Sequence, residues 1–109
     1  MSQTKKKQVE RVKKKAQKYI GHLIQIGFPI KAAFLFGSYA TGTFHQESDI
    51  DICIISERFR TNWDENEKLL WRETRYVDPR IEPIGYSPEA FQKSIILGKI
   101  IRKQGIKIY

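Results

Sequence analysis

The sequence predicts an α+β domain, a small mixed sheet of three to four strands flanked by helices in the order α-β-α-β-α-β-α, the second α little more than a turn. Three observations predict it. A helix-period apolar stripe runs through the first 26 residues, two apolar runs too short for helices follow, and a Ser-Pro helix start comes after a third such run. With 109 residues, 40% hydrophobic and 12% aromatic, the chain is expected to form one domain over 1–109 with its own core. That domain divides into a basic N-terminal helix, 1–31, and a core, 32–109.

In the first segment Val9, Val12, Ala16, Tyr19, Leu23 and Gly27 follow 3-4-3-4-4 spacing, and Ile20 and Ile24 widen the stripe. One amphipathic helix over 6–26 is the reading, stopped by Gly27 before Phe28-Pro29. Ala32 to Phe36 is a buried strand ending in Gly37-Ser38. The polar stretch 41–48 is a loop, and 49–55, rich in isoleucine, is the second strand. Residues 62–77 carry Trp63, Leu70 and Val77 at heptad spacing and form a surface helix that Asp78-Pro79 ends. Residues 80–86 make a third strand, which Pro83 confines to an edge or a bulge. Ser87-Pro88 caps a last helix over 88–103, closed by Gly105, and 106–109 add a short strand.

Composition excludes several classes. A single cysteine, Cys53, allows neither a disulfide framework nor a Cys-rich zinc site, and points to the cytoplasm. The apolar residues from Tyr19 to Ile30 are interrupted by Gly21, His22, Gln25 and Gly27, so no signal peptide or membrane span is expected. The formal charge of +8 is uneven. Residues 1–31 hold nine basic residues and one acid, Glu10, while 32–109 hold 11 of each. All the excess lies on the first helix, where it serves nucleic acid, nucleotide phosphate or an acidic partner, or is simply a solvated face.

The stretch from Gly37 to Asp51 carries the chemistry. A glycine closing a strand lets a phosphate approach the backbone, and the next turn can aim amides and the Ser38 hydroxyl at that anion. Asp49 and Asp51 lie two apart on a strand, so both carboxylates leave one face. Held that closely they repel unless a cation lies between them, and hard oxygen ligands beside phosphates suit Mg²⁺.

Gly37-Ser38, ten intervening residues and Asp49-x-Asp51 resemble the signature of the DNA polymerase beta-type nucleotidyltransferase superfamily. Within it the chain resembles the minimal nucleotidyltransferase (MNT) domains encoded beside HEPN-domain toxins as antitoxins. The resemblance implies a nucleotidyltransferase fold with 32–109 as catalytic core. It also implies Mg²⁺-dependent transfer of a nucleotide monophosphate, AMP from ATP above all, to a hydroxyl of a partner protein. Asp49 and Asp51 would bridge two Mg²⁺ ions, Glu82 would be the third carboxylate on the neighbouring strand, and Gly37 and Ser38 would bind the β and γ phosphates. Asp78 and Glu89, bordering turns, are weaker candidates for that third place. The chain departs from the pattern Gly-Ser-x-Ala-Arg-Gly in having Thr41 for arginine, so a local cation is missing. Little remains beyond the core for an acceptor domain, so the acceptor is expected to be a partner, with a HEPN-type tyrosine as the first choice.

Other residues read as structure. Cys53 among isoleucines is a core residue. His22 and His45 are too far apart to pair, with His45 a solvated loop residue sooner than a nucleotide contact, and Trp63 and Trp71 pack sooner than stack on a base. Phe91, Ile95, Ile96, Leu97, Ile100 and Ile101 make a stripe too wide for one buried face, so either a HEPN-type partner or a second copy meets it, or the terminal strand and first helix cover it. Two rivals stand beside the enzyme: a non-catalytic antitoxin or binding module acting by contact, and, less favoured, a nucleic-acid binder using Lys5 to Lys18.

Overall fold

The computed structural model describes residues 1–109. In chain order the elements are α1 Gln3–Gln25, β1 Ala32–Phe36, α2 Ser38–Thr41, β2 Ile50–Ile55, α3 Trp63–Glu73, β3 Ile81–Tyr86, α4 Pro88–Lys93, α5 Leu97–Gln104 and β4 Ile106–Lys107. Single 3₁₀ turns follow β2 and α3 at Glu57–Arg60 and Thr74–Tyr76. The sheet order is β3-β2-β1-β4. β1 runs antiparallel to β2 and β4, and β2 runs parallel to β3. The expected α+β architecture is therefore present, with Pro83 on an edge strand as its missing donor requires.

The two faces of the sheet are covered unequally. On one, Val9, Val12, Ala16, Tyr19, Ile20 and Leu23 of α1 and Leu70 of α3 pack on Ala33, Leu35, Ile50, Ile52, Ile54 and Ile81. The Tyr19 hydroxyl, buried in that layer, donates to the Leu70 carbonyl at 2.6 Å. On the other, Phe91 of α4 and Ile101 of α5 cover Cys53 and Ile55. Burial pushes the Cys53 thiol up to about 12, which leaves it an inert core residue. Strand alternation puts Asp51 and Glu82 on this second, thinly covered face, in line with Cys53 and Ile84.

Several boundaries differ from the sequence expectation. α1 begins at Gln3, because Ser2 Oγ accepts the Lys5 N–H at 3.1 Å and caps it. Ile24 does not join the buried stripe; it is exposed. The helix expected over 62–77 ends at Glu73 and tightens into the 3₁₀ turn. The helix expected over 88–103 is two helices, broken at Ser94–Ile96, where Ser94 turns extended and its Oγ accepts the Gly98 N–H at 2.8 Å. Two adjacent β-branched isoleucines weaken helix there, and Arg102 reaches back to the freed carbonyls of Phe91 and Ser94. Trp63 and Trp71 are half exposed rather than packed away. No helix is long and apolar enough to cross a membrane.

Candidate active site

β1 delivers the chain to Gly37, which caps α2 with φ +75° and ψ −148°, a conformation open to glycine. The N–H groups of Ala40 and Thr41 both return to the Gly37 carbonyl, so the turn is tight. A Cβ on Gly37 would run into Asp51 Oδ2. The bare glycine thus lets the Asp51 carboxylate lie against the backbone of the turn, and Phe36, opposite Asp51 in the antiparallel register, fixes that meeting.

Behind the turn, Tyr39 stacks on Phe44 with ring centroids 4.4 Å apart, both buried. Ser48 Oγ accepts the His45 N–H at 2.8 Å and shapes the loop that returns to β2. Ser38, Thr43, His45, Glu47, Ser48, Asp49 and Asp51 then line an open cavity of about 350 Å³ with no apolar wall. His45, expected to be solvated, is on this wall. Thr43, Glu47 and Ser48 join it without any spacing in the sequence to single them out.

Glu82 enters from β3, where the parallel register pairs it with Asp51. Burial first, and the neighbouring carboxylates of Asp49 and Asp51 second, hold its pKa above the usual range. Asp51 is likewise raised, by burial and then by the charge of Asp49. The three carboxylates that sequence reasoning named are thus brought together. As they stand they do not close into a three-ligand metal set, so convergence on an ion requires side-chain rearrangement. The donor chemistry fits a hard divalent cation: three neighbouring carboxylates, two of them, Asp51 and Glu82, resisting ionisation, and no lysine or arginine in the cavity wall.

The weaker candidates are engaged elsewhere. Asp78 bonds Lys15 Nζ at 2.9 Å and the Arg80 N–H at 2.8 Å; burial opposes its charge, but these partners bring it down to about 2. Glu89 pairs with Arg60, which holds it at about 2. Thr41 turns its hydroxyl back onto its own turn, toward the Gly37 carbonyl at 3.3 Å and Thr43 Oγ1 at 3.0 Å, and does not line the cavity. The cation bonded to this turn comes from α1: Lys5 Nζ donates to the Gly42 carbonyl at 2.8 Å and lies over the Phe44 ring.

Comparison with known proteins agrees with this geometry. A family model described as a nucleotidyltransferase domain matches residues 5–102. A crystal structure of a protein from Sulfolobus solfataricus, provisionally named a nucleotidyltransferase, superposes with a TM-score of 0.71 at 15% identity, over 98% of this chain and 87% of that one. A toxin–antitoxin crystallised with AMP-PNP gives a TM-score of 0.56 at 24% identity, over 85% of this chain and 72% of that one. The MntA–HpeT toxin–antitoxin, in a form with two aspartates two positions apart replaced by glutamate, gives 0.62 at 22% identity with the same coverage. These likenesses establish a shared fold. No curated protein matches the chain significantly.

Proposed function

Since the chain belongs to the nucleotidyltransferase domain family, we propose that it transfers AMP from ATP to a hydroxyl of a partner protein, as the antitoxin of a HEPN/MNT pair. The observation that carries this reading is the meeting of Asp49, Asp51 and Glu82 beside the Gly37-Ser38 turn. Two of the structural neighbours are toxin–antitoxins, one of them crystallised with AMP-PNP, which supports both the nucleotide and the partner.

Asp49, Asp51 and Glu82 would hold two Mg²⁺ ions. When bound, such ions neutralise phosphate oxygens and make a hydroxyl easier to deprotonate. The residues of the chain divide the remaining work. Gly37 lets Asp51 lie against the turn, and the backbone of that turn with the Ser38 hydroxyl would meet the β and γ phosphates, which orients the α-phosphate toward the carboxylates. The acceptor oxygen forms a bond to the α-phosphorus as the bond to pyrophosphate breaks, so AMP remains on the acceptor and pyrophosphate leaves. Glu82, at the edge of the thinly covered sheet face, would help take the proton that the acceptor hydroxyl gives up. Ile95 and Ile96, 82% and 75% exposed on the same side of the sheet, give a partner apolar surface to meet. A cytoplasmic setting accords with a buried, unpaired Cys53.

A second reading, neutralisation of the partner by contact alone, is favoured by Thr41, whose side chain leaves the phosphate turn without the expected arginine. One experiment separates the two. The co-purified partner is incubated with ATP and Mg²⁺ and weighed by mass spectrometry. Added AMP groups, lost in Asp49→Asn and Asp51→Asn, are the expected result; transfer retained in either variant would overturn the carboxylate assignment. A complex that forms without nucleotide or metal and never gains AMP would establish the contact mechanism.

A further inference from the structure

A second cavity, of about 240 Å³, lies on the other side of the 43–48 loop from the carboxylates. The loop residues alternate between them: Phe44 and Gln46 line this cavity, while Thr43, His45 and Glu47 line the catalytic one. Arg11 and Lys15 of α1 and Arg80, just before β3, supply three cations to its wall, with Gln8 and Gln46 adding amides. Asp78 is the counter-charge, paired with Lys15 at 2.9 Å and Arg80 at 3.1 Å. Three cations against one carboxylate leave the cavity positive.

The cavity continues into a row on α1. Lys7, Arg11, Lys14 and Lys18, spaced 4-3-4, fall within about 60° of one helix side and span roughly 16 Å. All four are exposed, and none takes part in an ion pair. Glu10 is the one acid on the helix. Arg11 belongs to both row and cavity and joins them, and Glu10, which shares a recess with Lys7, Arg11 and Lys14, is outnumbered there by cations.

We propose that this surface binds the phosphate backbone of a single-stranded nucleic acid. The row meets successive phosphates, and the cavity takes one phosphate with its sugar. The cavity distinguishes this occupant from a solvated helix face or an acidic protein partner. The free fork of Arg11 matches phosphate oxygens, Arg80 is held by Asp78 and the Gln46 carbonyl and adds its charge, the amides suit sugar hydroxyls, and an acidic protein surface would meet the row without entering the recess. A duplex holds its sugars in a regular stack, whereas a single strand can bend one phosphate inward. None of these residues belongs to the carboxylate site, so the binding stands apart from nucleotide transfer.

Anisotropy of a labelled oligo-uridylate titrated with the whole chain tests this. Neutralising four phosphates predicts a slope of about −3 in log affinity against log salt, which is about 50-fold weaker binding at 200 mM than at 50 mM. Arg11→Glu with Lys14→Glu, both exposed, should weaken binding at least about tenfold with an unchanged circular dichroism spectrum. Asp49→Asn should bind as tightly as the parent, which separates failure here from failure of the transfer reading. A flat salt dependence, parent-like binding by the double variant, or equal competition by polyglutamate would overturn the proposal. Equal affinity for duplex RNA would overturn the single-strand assignment.

Discussion

The Asp51 carboxylate occupies the space that a Cβ on Gly37 would need. Strand end and metal-ligand candidate are therefore one packing unit, and Gly37→Ala should damage both. The alanine must also adopt φ +75°, so a loss of about 1–3 kcal/mol is expected in denaturant titrations. Nucleotide transfer should fall with it. Unchanged stability would show that the turn relaxes around a side chain.

Glu67 gives the fold a pH dependence near neutrality. It accepts the Gly85 N–H at 3.1 Å while half withdrawn from water, and burial raises it to about 7. Its folded pKa lies above its unfolded value, so the native state holds the proton longer. Stability is greatest below about pH 4.5 for this group and declines as pH rises through about 7. Glu67→Gln keeps an acceptor for Gly85 and should remove that decline, gaining about 1 kcal/mol at pH 8 once solvent screening is allowed for. Parallel pH profiles for the two proteins would contradict this.

Asp78 acts with the opposite sign. Its pKa is lowered to about 2, so its contribution is complete above the ordinary carboxylate range and is lost as pH falls toward 2. It ties Lys15 of α1 to Arg80 at the entry to β3. Asp78→Ala should cost about 1–3 kcal/mol at pH 7 and make acid unfolding begin at a different pH, read from melting temperatures between pH 2 and 5.

Lys5 should prove to be a positioning residue for the phosphate turn. Its ammonium holds the Gly42 carbonyl at 2.8 Å from outside the cavity. Lys5→Ala should raise KM for the nucleotide about three- to tenfold and leave kcat near its starting value, because the turn loosens and the carboxylates do not move. Lys5→Arg should restore KM. A fall in kcat with unchanged KM would place the effect in the chemical step instead.

Much of this was legible in the residues because local patterns carry it. The strand lengths of β1 and β2, the edge placement forced by Pro83 and the stripe of α1 all follow from periodicity and from proline's missing donor. The Asp49-x-Asp51 pair could be found by spacing, but Glu82, 31 residues after Asp51, could be placed only by resemblance, since a parallel register between separated strands leaves no local mark. What could not be read depends on distant groups. The break at Ser94–Ile96 is completed by Arg102, and the second cavity needs α1, the 43–48 loop and the entry to β3 together. The carboxylate cavity's extra members, Thr43 and Glu47, are ordinary loop residues until the loop is folded.

The β3 edge has a consequence for how anything can attach to this protein. Its even-numbered carbonyls face β2, as the bonds from Ile50 to Arg80 and from Ser56 to Tyr86 show, so positions 81, 83 and 85 present their donors outward. Ile81 gives its N–H to the Asp78 carbonyl, Pro83 has none, and Gly85 gives its N–H to Glu67 while its carbonyl takes the Trp63 indole at 3.3 Å. A further strand laid along β3 would find no donor to pair with, which closes that side to β-augmentation and to edge-to-edge aggregation. A partner on this side must be recognised through side chains, and so through chemistry particular to this chain.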